Sequence, residues 1–71
     1  MKMKPEQSTM LVAHREAKGW TQAEAASITG VPKHIIGCLE REGGARANRV
    51  RQLVDGLGID PVIFYNLEAA K

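Results

Sequence analysis

Trp20-Thr21-Gln22-Ala23-Glu24-Ala25-Ala26-Ser27-Ile28-Thr29-Gly30-Val31-Pro32-Lys33-His34-Ile35-Ile36-Gly37-Cys38-Leu39-Glu40-Arg41 carries two helix-start signals separated by a single glycine. Thr21 and Glu24 stand three apart, a hydroxyl and a carboxylate placed to satisfy each other's backbone N–H groups at a helix start. The helix they open is expected to run to about Thr29. Gly30 follows, a residue that tolerates the left-handed backbone of a tight turn. Val31-Pro32 then opens a second helix, since proline suits a first turn whose N–H groups have no partner. That helix is expected to reach Arg41 or Glu42 and to stop at Gly43-Gly44.

At about 100° per residue, Lys33, His34, Gly37, Cys38 and Arg41 share one face of this second helix, and Ile35, Ile36 and Leu39 gather on the other. One side is apolar and fit for burial; the opposite side is basic and low in bulk. Ala26 on the preceding helix is small enough for the two helices to cross closely, and Ile36 and Leu39 are the anchors to the core.

Outward from this pair the pattern stays helical. Pro5 to Lys18 reads as a first helix, with Leu11, Ala13, His14 and Ala17 at rough helical spacing and Gly19 beyond its end. Asn48 is a suitable cap for a fourth helix, in which Val50, Leu53, Val54 and Leu57 follow the i, i+3, i+4, i+7 rule and Gly58 is the stop. Asp60-Pro61 opens a fifth, carrying Val62, Ile63, Phe64, Tyr65 and Leu67. Leu53, Leu57, Ile59 and Phe64 are expected in the core, with Trp20 as its lid and His14 half-buried. No strand-like alternation appears. The chain is expected to be all-α, with five helices in a single domain over residues 1–71.

Composition narrows the function. A chain of 71 residues buries only about 60% of its unfolded surface, which leaves little room for a deep substrate pocket. No Ser/His/Asp set, carboxylate pair or phosphate loop stands at useful spacing, so no enzyme, no cofactor and no small-molecule ligand is expected. Cys38 is the single cysteine, and with His14 and His34 it supplies too few ligands at short spacing for a metal site. No apolar run approaches the roughly 20 residues of a membrane span, and no signal peptide is visible, so a cytoplasmic protein is expected. The net charge of +2 permits nucleic-acid binding without demanding it. Its distribution is more informative: Lys33, His34, Arg41, Arg46, Arg49 and Arg51 face only Glu40 and Glu42 between positions 33 and 51.

Two short helices joined by a glycine-containing turn form a helix-turn-helix, here over residues 21–42. The segment Trp20–Arg41, with Leu57-Gly58-Ile59-Asp60-Pro61 further on, resembles the lambda-repressor-like (Xre-type) helix-turn-helix family across about residues 8 to 66. The resemblance implies a five-helix DNA-binding domain, a homodimer, and a double-stranded operator with two half-sites. Gln22 matches the family's phosphate-contacting glutamine at the start of its second helix. Lys33, His34, Gly37, Cys38 and Arg41 match the base-facing positions, and Arg46 and Arg49 lie where the family touches the DNA backbone. Arg15 and Glu40 match a pair tying the first helix to the recognition helix. Two positions depart from the family pattern: Gly37 stands where a polar side chain is usual, and His14 where a large apolar one is.

The expected function is therefore sequence-specific transcriptional regulation, of the phage- or plasmid-repressor type, with the Pro32–Arg41 helix in the major groove. The alternative is a protein-interaction module on the same fold, such as an antitoxin whose main partner is a toxin. Ile63, Tyr65 and Leu67 are the candidate dimer surface, because one helix cannot turn five large apolar residues inward.

Overall fold

The computed structural model describes residues 2–66, and these form five helices. They are α1 (Pro5–Ala17), α2 (Gln22–Thr29), α3 (Lys33–Glu40), α4 (Ala47–Leu57) and α5 (Pro61–Tyr65). The described residues contain no strand; Lys2 and Gly44 make one isolated antiparallel bridge. No helix among them is long and apolar enough to cross a membrane.

Each helix begins and ends for a local reason. At α2, Glu24 N–H donates to Thr21 Oγ1 at 3.1 Å and Thr21 N–H donates to Glu24 Oε1 at 2.8 Å, the reciprocal box expected from the spacing. At α5, Val62 N–H donates to Asp60 Oδ1 at 2.9 Å, with Pro61 in the first turn. Pro32 stands just ahead of α3, and its carbonyl accepts from Ile35 and Ile36. The start of α4 differs from expectation. Arg46, not Asn48, is the capping residue, and it has no side-chain hydrogen bond there. An extended Arg46 backbone between Ala45 and Ala47 opens the helix, which places Asn48 already inside its first turn.

The helix ends are more uniform. In α1 and α4 the chain leaves through a left-handed glycine, Gly19 and Gly58, and the N–H of the residue after it returns to a carbonyl five residues back. The end of α3 has the same two bonds, Glu42 N–H to Leu39 O at 3.2 Å and Gly43 N–H to Cys38 O at 2.8 Å. Here the left-handed residue is Glu42, with φ of 64°, and not a glycine. Gly43 holds the next place for a steric reason: a Cβ on it would fall 2.8 Å from the Cys38 carbonyl oxygen and closer still to Cys38 Sγ.

The core joins Leu11 of α1, Ala25 of α2, Ile36 and Leu39 of α3, Val50, Leu53, Val54 and Leu57 of α4, and Phe64 of α5, with Val31 and Ile59 from the connections. Trp20 and Ile35 pack against it partly buried, as does Ala26; Ala25, one residue earlier, makes the deep contact of α2. Met3 also enters the core, held by its N–H to Gly43 O at 3.2 Å. In α1 the buried residues are Gln7, Ser8 and Leu11, while Ala13 and Ala17 are exposed. The inward face therefore runs through two polar side chains. Both are satisfied: Ser8 Oγ donates to Leu39 O at 2.6 Å, and Gln7 accepts from Lys4 N–H and donates to Phe64 O. A buried polar group with partners costs little, so α1 docks through residues that an apolar pattern overlooks.

A left-handed backbone costs a side-chain-bearing residue about 1–2 kcal/mol, and glycine there returns part of that as extra freedom in the unfolded chain. Glu42→Gly is therefore expected to stabilise the domain by about 0.5 kcal/mol, a rise of roughly 2–4 °C in Tm. Thermal denaturation followed by circular dichroism checks this, and a lowered Tm would contradict the account of the α3 end.

Candidate nucleic-acid interface

α2 and α3 are joined by Gly30, Val31 and Pro32. Gly30 has φ of 80° and closes α2 through its N–H to Ala26 O at 3.0 Å. The backbone there calls for glycine, and a Cβ, 2.8 Å from Gln52 Nε2, would also push the Gln52 amide aside. Gln52 and Arg49 of α4 clamp this turn: Gln52 Nε2 donates to Thr29 O at 3.0 Å, and Arg49 Nη1 donates to Gly30 O at 3.5 Å and Gln52 Oε1 at 3.3 Å. Nothing in the sequence marks Gln52 for this task, since its partner is a backbone carbonyl 23 residues away.

α3 is then oriented by its buried face and by one carboxylate. Ile36 and Leu39 are fully buried. Glu40, at the end of the helix, accepts from Arg15 Nε at 2.7 Å, Arg15 Nη2 at 3.2 Å and Gln22 Nε2 at 2.9 Å. Arg15 Nη1 donates to Trp20 O at 2.7 Å. One cluster thus links α1, α2, α3 and the α1–α2 connection. Its ion pair is largely withdrawn from solvent, at 13% and 7% side-chain exposure for Arg15 and Glu40. The hydrogen bond to Glu40 raises the Arg15 guanidinium above its ordinary pKa against the opposing pull of burial.

With that orientation Lys33 and His34 on α3 and Arg41 just beyond its end are exposed, and Cys38 is half-buried with its Sγ directed at Gly44 O at 3.4 Å. Gly37 is the exception among the expected base-facing positions. It is buried, covered by the Arg41 side chain and by that of Gln22 from α2. Gln22 is half-buried at the first turn of α2, its amide held by Glu40.

Arg46 is exposed and Arg49 half-buried. Together with Pro32, His34, Ile35 and Asn48 they line a groove of about 370 Å³ between the starts of α3 and α4. Two guanidinium groups, an imidazole and an amide with no carboxylate among them suit an anion with several acceptor oxygens. A second groove, between α1 and the end of α3, carries Glu16, Glu40 and Glu42 and no basic side chain. The two grooves therefore differ in sign. Arg51 belongs to neither: it pairs with Asp55 on the outer side of α4, with both side chains more than half exposed.

Ile63 and Tyr65 of the expected dimer surface are 55% and 39% exposed, and Val62, not singled out from the sequence, is 67% exposed. Phe64 points inward and meets the Tyr65 ring edge-on at 5.1 Å. Leu67 lies outside the described residues. His14 is half-buried, its Nδ1 3.0 Å from Met10 O. Among the described residues no three His, Cys, Asp or Glu side chains gather as a metal site. Comparison with protein-family models, with characterised proteins and with solved structures finds no match.

Removing one partner of a buried ion pair strands the other charge at a cost of about 3–5 kcal/mol. Arg15→Ala is expected to lie near the lower end, at about 3 kcal/mol, because Gln22 still donates to Glu40. Arg51→Ala, at an exposed pair, is expected to cost under about 0.5 kcal/mol. Urea denaturation of the two variants makes the comparison. Equal losses would show that the Arg15–Glu40 cluster does not organise the helices.

Proposed function

We propose that the protein is a sequence-specific double-stranded DNA-binding regulator with a lambda-repressor-like helix-turn-helix formed by α2, the Gly30 turn and α3. α3 enters the major groove. The observation that carries this reading is the exposed basic face of α3, turned outward by the buried anchors Ile36 and Leu39. The cationic groove beside it adds support, because Arg46 and Arg49 extend positive charge from the start of α3 to the start of α4.

The roles follow from chemistry. α3 is about 12 Å long, a rod of the width that the major groove admits. Lys33, His34 and Arg41 donate to base edges or nearby phosphates, and Cys38 offers a small apolar contact such as a thymine methyl accepts. Gln22, Arg46 and Arg49 hold phosphates, which sets register without choosing sequence. No catalytic step is assigned. The apolar side chains Val62, Ile63 and Tyr65 on α5 favour a protein partner as well, and a second copy of the chain would pair two α3 helices for two half-sites. The same surface is what an antitoxin reading would use for a toxin.

Fluorescence anisotropy against duplexes selected from a random pool tests the DNA reading. Arg46→Ala is expected to weaken all duplexes alike and to lower the slope of log affinity against log salt by about 1. Absence of binding to any duplex at about 50 mM salt, where phosphate contacts are strongest, would defeat it. For the α5 surface, Ile63→Glu is expected to convert a dimer to a monomer with unchanged helicity. Sedimentation equilibrium reads the result, and a wild-type chain monomeric at every concentration would remove the homodimer.

A further inference from the structure

Gly37 occupies the middle of α3, where glycine weakens a helix relative to alanine, and nothing in its backbone requires it, since its φ is not positive. Its use is steric. A Cβ on Gly37 would stand 3.2 Å from Arg41 Nη1, 3.6 Å from Gln22 Oε1 and 3.9 Å from Arg41 Cζ. The Arg41 guanidinium thus lies over the place where residue 37 lacks a side chain.

Helix geometry explains how it arrives there. Cα–Cβ bonds tilt toward the helix N-terminus, so a side chain covers the turn before its own Cα. Arg41 follows the last helical residue, yet its charge rests one turn earlier, beside the Gln22 amide that Glu40 orients. Among the described residues no protein acceptor takes a hydrogen bond from this guanidinium, whereas that of Arg15 has three acceptor atoms. The planar fork of Arg41 is therefore seated yet exposed, its donors open to an incoming partner. The chemistry such a fork fits is a pair of acceptors in one plane, which guanine presents in the major groove as O6 and N7.

We propose that Gly37 is a specificity-determining position, the seat that holds the Arg41 guanidinium at mid-helix so that it reads one guanine in each half-site. This rests on the DNA-binding reading above. Gly37 itself touches no base in this arrangement. It acts by leaving room.

Gly37→Ala separates this role from a purely structural one, because alanine favours the helix while its methyl, 3.2 Å from Arg41 Nη1, makes the guanidinium give way by a few tenths of an ångström. The variant is expected to fold with a Tm equal to or above wild type. Selection from a random duplex pool is run on wild type, Gly37→Ala and Arg41→Ala. Wild type is expected to enrich guanine at one position per half-site; Arg41→Ala is expected to lose about ten- to a hundredfold discrimination at that position alone, and Gly37→Ala a smaller loss, about three- to tenfold, at the same position. Undiminished guanine preference in Gly37→Ala, or a loss spread evenly over all positions, overturns the proposal. A second measurement needs no DNA. Proton NMR of the free protein is expected to show nuclear Overhauser contacts between the Gly37 Hα protons and the Arg41 side chain. Their absence overturns the seat. If the contacts are present and wild type binds no duplex, the DNA-binding reading fails and the guanine assignment falls with it, leaving only the seat.

Discussion

The Glu40 carboxylate is the interaction on which the arrangement of the first three helices depends. Apolar packing alone leaves a helix some freedom to turn about its axis and to slide, because dispersion and burial are not directional. Glu40 removes that freedom. It binds Arg15 on α1 through two nitrogens and Gln22 on α2 through one, and a charge so nearly withdrawn from water is strongly penalised when any of these partners leaves. Ile36 and Leu39 decide which side of α3 faces the core; Glu40 decides the angle at which it does so. The outward position of Lys33, His34 and Arg41 follows from the two together.

Much of this was legible in the sequence because the signals were local. Thr21 with Glu24, Asp60 with Pro61, and the placement of Gly30 and Gly58 each specify a helix end within a few residues, and α4 advertises its buried stripe through Val50, Leu53, Val54 and Leu57. The apolar face of α3 was readable for the same reason, whereas Gly37, expected on the outward face, is buried. Arg15 and Glu40 are 25 residues apart; their pairing entered through resemblance to a family, since no local rule links them. What stayed hidden is long-range and polar. The clamp of Gln52 on Thr29 and the inward turn of Gln7 and Ser8 depend on neighbours that the fold brings in.

The helix ends show how a local rule is bent without being lost. The α3 terminus keeps both returning hydrogen bonds of a glycine-ended helix, but puts Glu42 in the left-handed position and glycine one place later. The reason lies in crowding at Cys38, where the chain passes too close for any side chain at position 43. The same passage brings Gly43 beside Met3, whose N–H it accepts and whose side chain is buried in the core. Glu42 thus accepts an unfavourable backbone so that the connection to α4 can hug the end of α3 and deliver Arg46 close to its start.

On the proposed reading, this geometry divides affinity from specificity in an uneven way. Lys33 is a flexible point charge, and Arg46 and Arg49 stand beside a groove suited to phosphate oxygens, so their contribution is expected to be salt-dependent and indifferent to sequence. His34 offers an imidazole N–H donor. Of the exposed cations Lys33, His34 and Arg41, only Arg41 carries a rigid planar fork fit to distinguish one base pair from another, and a mid-helix glycine, costing about 1 kcal/mol against alanine, stands where that fork needs room. One short helix with a single rigid reader discriminates little. Symmetric doubling through α5 would repeat the reader at a fixed distance, and the square of a modest discrimination is a useful one. On that proposal the exposed apolar side chains of α5 and the sparse outward face of α3 would share one explanation, a small domain whose selectivity depends on two copies acting together.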